Sequence, residues 1–234
     1  MSLWQTYMNH TGRPCDKWSH YFPVYERHLA HFVGQPIKIL EIGVLRGGSL
    51  QLWKSYFGPR ARIAGIDIEP SSQYSEPQID VFIGSQSDTA FLGNVLDKWG
   101  VPDVVIDDGS HHQKDIHTTF NFLFPRMPNC VYIVEDLHTA YWSGYGGGLG
   151  NPGSFYETLK KMIDEVNKPH YVPSPATVYT MAPIHGIHIY DSMAVIEKHS
   201  AAPGLMSYRL TRPANQPQVN APTGAASFTI GKGH

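Results

Sequence analysis

Cysteine is nearly absent. The chain has two in 234 residues, Cys15 and Cys130. They lie far apart and without metal-binding spacing, which excludes a disulfide framework and a zinc knuckle and leaves two ordinary thiols. Charge is also scarce. Asp, Glu, Lys and Arg make up 16% of the chain, against roughly a quarter in typical domains, and the formal net charge is −2. Without a basic field to neutralise phosphates, nucleic acid is not an expected partner; without an acidic block there is no solvating tail. No apolar run approaches the roughly 20 residues of a spanning helix, and MSLWQTYMNH lacks the basic-then-apolar pattern of a secretory signal. A soluble, cytoplasmic protein with no membrane partner is expected, its ligand small or uncharged. Two phosphate signatures are missing as well. Leu45 occupies the second glycine position of a dinucleotide loop, and no Lys-Ser/Thr pair completes a Walker loop.

What is present alternates between two patterns. Apolar runs bounded by turn residues recur at 37–44, 62–68, 79–84, 103–108 and 130–136, each continuous enough for a strand buried on both faces. Between them, residues 48–59 read as a helix stopped by Gly58 and Pro59, and 87–100 as a helix capped by Ser87 or Asp88. Alternation of this kind calls for an α/β fold with a mostly parallel sheet and right-handed crossovers. A further helix is expected from Phe155, behind the S-x-x-E box of Ser154 and Glu157. GIHIYDSMAVIEK (186–198) reads as a hairpin turning at Asp191 and Ser192, closing the sheet antiparallel. Residues 201–234, rich in Pro, Ala, Asn and Gln, read as a tail or arm, which could mediate a homo-oligomer.

The chemistry-bearing residues collect where these strands end. In EIGVLRGGS (41–49), glycines at 43, 47 and 48 let a ligand approach the backbone at the first strand-to-helix turn, where open α/β sheets bind ligands. Asp67, ending the second strand, is placed to accept ribose hydroxyls; Gln86 and Asp88, after the third, could read an adenine edge. Asp107 is either a turn partner for backbone amides or a cofactor contact. The strands ending at Asp108 and Glu135 should be neighbours, about 4.8 Å apart, so Asp108, Glu135 and Asp136 converge into an all-oxygen site suited to Mg²⁺ or Mn²⁺. The competing reading is a structural ion-pair network, disfavoured by the lack of nearby lysines or arginines in sequence. His138, Tyr141 and Trp142, beside the glycine-rich loop 144–150, are candidates to contact a sugar or flat acceptor under a closing lid.

Together E-x-G-x-x-x-G-G-S, GIDI, GSQSD, VIDDGSHH and VEDLHTAYW resemble the class I S-adenosylmethionine-dependent methyltransferases. Within these they resemble the metal-dependent sugar O-methyltransferases of natural-product biosynthesis and their CmcI-type relatives. The resemblance runs from about Asp16 to Lys198. It implies a Rossmann-like class I fold over 35–200, with a seven-stranded sheet, an antiparallel C-terminal hairpin and helices on both faces. Residues 1–34 would form a helical segment packing over the cofactor. It further implies S-adenosyl-L-methionine as cofactor, with Glu41, Gly43, Gly47, Ser49, Asp67, Gln86, Asp88, Asp107 and Tyr21 around it. Mg²⁺ would sit on Asp108, Glu135 and Asp136, with His111 as general base, and the acceptor would be a hydroxylated, glycosylated small molecule. Two rivals stand beside this reading: a cofactor-binding partner in a multi-component methoxylation, as among CmcI-type proteins, and a metal-dependent hydrolase using the same acids.

Overall fold

The protein is described by a computed structural model over residues 1–167, 179–180, 184–199 and 206–207. The five apolar runs are parallel strands: β1 (Lys38–Ile42), β2 (Arg62–Asp67), β3 (Ile79–Ile83), β4 (Val104–Asp107) and β5 (Cys130–Val134). A short strand β6 (Tyr179–Thr180) precedes the hairpin of β7 (Ile184–Tyr190) and β8 (Met193–Lys198), and β9 (Met206–Ser207) pairs back with β6. The main sheet has the order β3-β2-β1-β4-β5-β8-β7, with β7 and β8 antiparallel as expected. The tail expected over 201–234 lies outside the described residues apart from β9.

Alternation along each strand divides the core in two. Ile39, Ile63, Val104, Ile106, Val131 and Ile133 face one side. There they meet α1 (Leu3–Met8), α2 (Phe22–Leu29) and α3 (Gly48–Phe57) through Leu3, Tyr25, Trp53 and Phe57. Leu40, Ile42, Ala64, Val105, Tyr132 and Val134 face the other side, against α4 (Thr89–Trp99), α5 (Gln113–Leu123) and α6 (Phe155–Asn167). A strand covered on both faces needs apolar residues at every position, which is why these runs read as continuous. The sequence reading named no helix at 113–123. QKDIHTTFNFL has a polar stripe wide enough to hide the apolar face of Ile116, Phe120 and Leu123. Among the described residues no helix is long and apolar enough to cross a membrane.

Chain order reverses between β1 and β4, so the crevice at their carboxyl ends is the switch point of the sheet. Gly43 makes the tight passage there. Its φ is +90°, and a β-carbon would lie 2.0 Å from the Asp108 carbonyl oxygen. Gly43→Ala should therefore cost about 2–3 kcal/mol through backbone strain and overpacking. Chemical denaturation should show the lowered midpoint, and an unchanged one would mean that the two strand ends are free to separate.

Candidate active site

The carboxyl ends of β3, β2, β1, β4 and β5 open into one cleft of about 1080 Å³, roofed by residues 14–19 of the N-terminal segment. Of the residues expected around a cofactor, Gly43, Ser49, Asp67 and Gln86 line it. Asp67 also pins the glycine loop: its Oδ2 accepts from the amides of Val44 (2.8 Å) and Leu45 (2.9 Å), and its Oδ1 from Glu69 (2.9 Å). An ionised carboxylate retains further lone pairs toward the cleft. Glu69, which the sequence reading passed over, lines the cleft beside it.

Glu41, Gly47, Asp88, Asp107 and Tyr21 do not line the cleft, and each has another task. Glu41 is fully buried beneath it, where its carboxyl accepts from Ser49 Oγ at 2.6 Å and Trp53 Nε1 at 3.2 Å. Gly47 turns the chain into α3 with φ +75° against the Tyr74 ring. Asp88 caps α4, its Oδ1 accepting from the amides of Ala90 and Phe91. Asp107 is buried and accepts from Gln86 Nε2 at 3.1 Å, while Gln86 Oε1 accepts from the Ser110 amide at 2.8 Å. Burial pushes the Asp107 carboxyl up to about 7. It anchors a cleft residue from behind. Tyr21 is buried, with its hydroxyl 2.8 Å from Asp136 Oδ1.

At the other end of the cleft, Asp107 pairs with Val134, which sets Asp108 and Glu135 side by side on adjacent strand ends. Asp108, His111 and Asp136 then present one ligand atom each within 4.8 Å of one another. His111 Nε2 is 3.6 Å from Asp136 Oδ2. Both residues hold left-handed backbone, His111 at φ +58° and Asp136 at +52°. Such conformations are uncommon for non-glycine residues and persist only where the surroundings enforce them. Here the enforcement is visible: the His111 carbonyl accepts from Gln113 Nε2 and Thr139 Oγ1, and Asp136 Oδ1 accepts from Trp18 Nε1 and Tyr21.

Glu135, expected beside Asp108 and Asp136, borders the cleft with them but is only 2% exposed and engaged from within. Both its oxygens lie 3.1 Å from Lys17 Nζ, and Oε1 accepts from the Tyr25 hydroxyl at 2.5 Å. The same ammonium is 2.6 Å from Asp108 Oδ2 and 3.0 Å from Glu41 Oε1, with the Lys17 side chain 2% exposed. The counter-charge that the sequence reading did not find nearby therefore comes from the far N-terminal segment. Burial alone would lower the Lys17 pKa, but Asp108 and Glu135 outweigh it and hold it well above the ordinary lysine value. One ammonium cannot balance three acids, so burial and the Asp108 charge push the Glu135 carboxyl up despite Lys17. With Asp136 added, the cluster keeps surplus negative charge around oxygen donors open to the cleft. That donor chemistry fits a hard divalent cation.

The candidate acceptor contacts stand outside the cleft wall. His138 Nδ1 is 2.5 Å from Ser192 Oγ and 3.9 Å from Asp136 Oδ1, and its ring meets Trp142 edge-on at 4.8 Å. Tyr141 packs on Tyr156 at 5.2 Å. The glycine-rich loop is pinned rather than free, its Gly147 and Gly148 amides donating to Trp142 and Ala140 carbonyls and Asn151 Nδ2 donating to Gly146 and Gly147. Lys17→Met keeps the stem and removes the charge, and should destabilise the fold by about 3–5 kcal/mol. Adding Glu135→Gln should return part of that loss. Strictly additive effects in the double-mutant cycle, read by denaturation, would show that the two groups are not coupled.

No family model matches the chain. The 8-demethyl-8-(2-methoxy-alpha-L-rhamnosyl)-tetracenomycin-C 3'-O-methyltransferase of Streptomyces olivaceus is 38% identical over 209 residues, 82% of this chain and 53% of its own length. The mycinamicin VI 2''-O-methyltransferase of Micromonospora griseorubida is 38% identical over 193 residues, covering 76% and 48%. Among solved structures, the MycE methyltransferase of the mycinamycin pathway, in complex with Mg, SAH and mycinamycin VI, matches with TM-score 0.74 and 34% identity over 86% of this chain and 54% of that one. A putative caffeoyl-CoA O-methyltransferase from Staphylococcus aureus shares the fold alone, with TM-score 0.51 and 16% identity over 85% of this chain and 92% of that one. The chain spans about half the length of the curated relatives it matches. In sequence the chain is similar to these O-methyltransferases, and its architecture is the Rossmann-like class I methyltransferase fold.

Proposed function

We propose that the chain transfers the sulfonium methyl of S-adenosyl-L-methionine to a hydroxyl of a glycosylated small molecule, with Mg²⁺ or Mn²⁺ assisting. The observation that carries this reading is the continuity of one cleft: it runs from the glycine loop, Asp67 and Gln86 to Asp108, His111 and Asp136. Relatives named for sugar O-methylation and a neighbour solved with Mg and SAH support it.

Asp108 and Asp136 would hold the cation, with Glu135 adding charge from below. When bound, S-adenosylmethionine supplies an electrophilic methyl group, and the divalent cation supplies positive charge beside an oxygen that is losing its proton. The residues of the chain do the rest. Gly43 leaves its backbone open to the cofactor, and Asp67 and Gln86 fix its ribose and base. His111, partly exposed at the cleft with its Nε2 3.6 Å from Asp136 Oδ2, would take up the proton that the acceptor hydroxyl loses as its oxygen is methylated. Such base catalysis contributes typically about 10²–10⁴-fold. Residues 14–19 roof the reacting end and exclude water.

Calorimetric titration of S-adenosylmethionine into metal-stripped protein, repeated with Mg²⁺, is the primary test. One-site saturable binding is expected, and folded protein that binds in neither condition would refute the proposal. With a rhamnosylated macrolide or tetracenomycin acceptor, His111→Ala should lower turnover about 10²–10⁴-fold while cofactor binding persists. An Asp108→Ala variant should lose its dependence on Mg²⁺.

A further inference from the structure

Of the 13 histidines in the chain, four gather around a single carboxylate, Glu197, on the side of the molecule where α2 packs against the β7–β8 hairpin. None of the four lines the cleft. His28, on α2, brings Nδ1 to 2.8 Å from Glu197 Oε1, and His188, on the edge strand β7, brings Nε2 to 3.6 Å from Glu197 Oε2. The three ligand atoms all lie within 4.8 Å of one another. In a tetrahedral zinc site, bonds of about 2.0–2.1 Å place neighbouring ligand atoms roughly 3.3 Å apart, a spacing the two measured pairs bracket. His185 and His199, with rings 4.6 Å apart, form a second trio with the same carboxylate.

Three further observations distinguish this group from an ordinary surface ion pair. His28 is 4% exposed, and its other ring nitrogen is 2.9 Å from the Tyr190 hydroxyl. An imidazole fixed through its second nitrogen is the usual arrangement of a metal-ligating histidine. Burial lowers the His28 pKa, and burial with its neighbour His185 lowers that of His199, which favours neutral, ligand-competent rings. The rings of His28 and His188 are 4.6 Å apart, so two imidazoles already share one side of the carboxylate. Nitrogen-dominated donors with a single carboxylate also differ in kind from the oxygen-rich cluster in the cleft, and suit a borderline transition metal rather than magnesium.

We propose that His28, His188 and Glu197 form a second metal site, for Zn²⁺ or a similar divalent transition ion, that clamps α2 to the C-terminal hairpin. The ion takes the place of the proton shared between His28 Nδ1 and Glu197. The consequence reaches the cleft through one helix face. Tyr25 lies one turn before His28, and Tyr21 a further turn back; their hydroxyls meet Glu135 and Asp136. Fixing His28 therefore fixes the helix that carries Tyr25 and the turn before it that carries Tyr21. The site stands whether or not the transfer chemistry above is correct.

The test is titration of the full, metal-stripped chain with Co²⁺ in excess Mg²⁺, followed by visible absorption, because tetrahedral Co²⁺ absorbs strongly where octahedral Co²⁺ does not. One saturable tetrahedral site is expected, displaced by Zn²⁺, with affinity at least ten-fold weaker in His188→Ala and in Glu197→Gln. His188 is 36% exposed on an edge strand, so its removal leaves the core intact. His111→Ala should bind Co²⁺ as the wild type does. Zn²⁺ should also raise the melting temperature of the wild type and not that of the two variants at the clamp. No tetrahedral signal, equal binding by wild type and His188→Ala, or a signal lost with His111 instead would each overturn the proposal.

Discussion

The ammonium of Lys17 sits 2.6 Å from Asp108, 3.0 Å from Glu41 and 3.1 Å from Glu135, and the acidic end of the cleft is organised around it. Two of these acids are almost wholly buried, and burying ionised carboxylates without a partner would cost more than a fold of this size can spare. The lysine makes the arrangement tolerable without saturating it. The acids outnumber the ammonium, and burial pushes the carboxyls of Glu41 and Glu135 up toward their neutral forms. The acids differ in placement: Glu41 is buried beneath the cleft, whereas Asp108, Glu135 and Asp136 border it.

The parallel sheet was legible because both its faces are covered. Once every position of a strand must be apolar, runs such as residues 103–108 stand out against their polar flanks, and the alternation with helices fixes connectivity. The convergence of Asp108 and Glu135 followed from topology alone. What could not be read was direction. Whether a strand-end acid points up into a crevice or down into the core depends on which partner waits below, and the partners of Glu135, Lys17 and Tyr25, are 118 and 110 residues away. Compensation for these acids is made through space and not along the sequence. CDKWSH gives one local hint, a lone lysine within a segment expected to cover the site.

The same limit explains why several residues expected at the cofactor lie off the cleft wall. Asp88, Asp107 and Gly47 have the right composition and position for ligand contacts, yet helix capping, a buried amide anchor and a turn draw on the same chemistry: small polar groups at strand ends. A carboxylate that caps a helix and one that reads a base look alike until their neighbours are known. Asp67 shows that the two roles can coexist, since it holds the glycine loop in shape and still borders the cleft.

The roof over the cleft belongs to the first part of the chain, whereas the acids it covers come from the middle. Lys17 reaches Asp108 and Glu135 across 91 and 118 residues, so these contacts close some of the longest loops in the fold. Closing loops of such length costs conformational entropy, which the ion pairs must offset. The segment that supplies the ammonium also covers the acids. Cover and counter-charge are therefore one element: displacing residues 14–19 would open the cleft and leave Asp108 and Glu135 without their ammonium together.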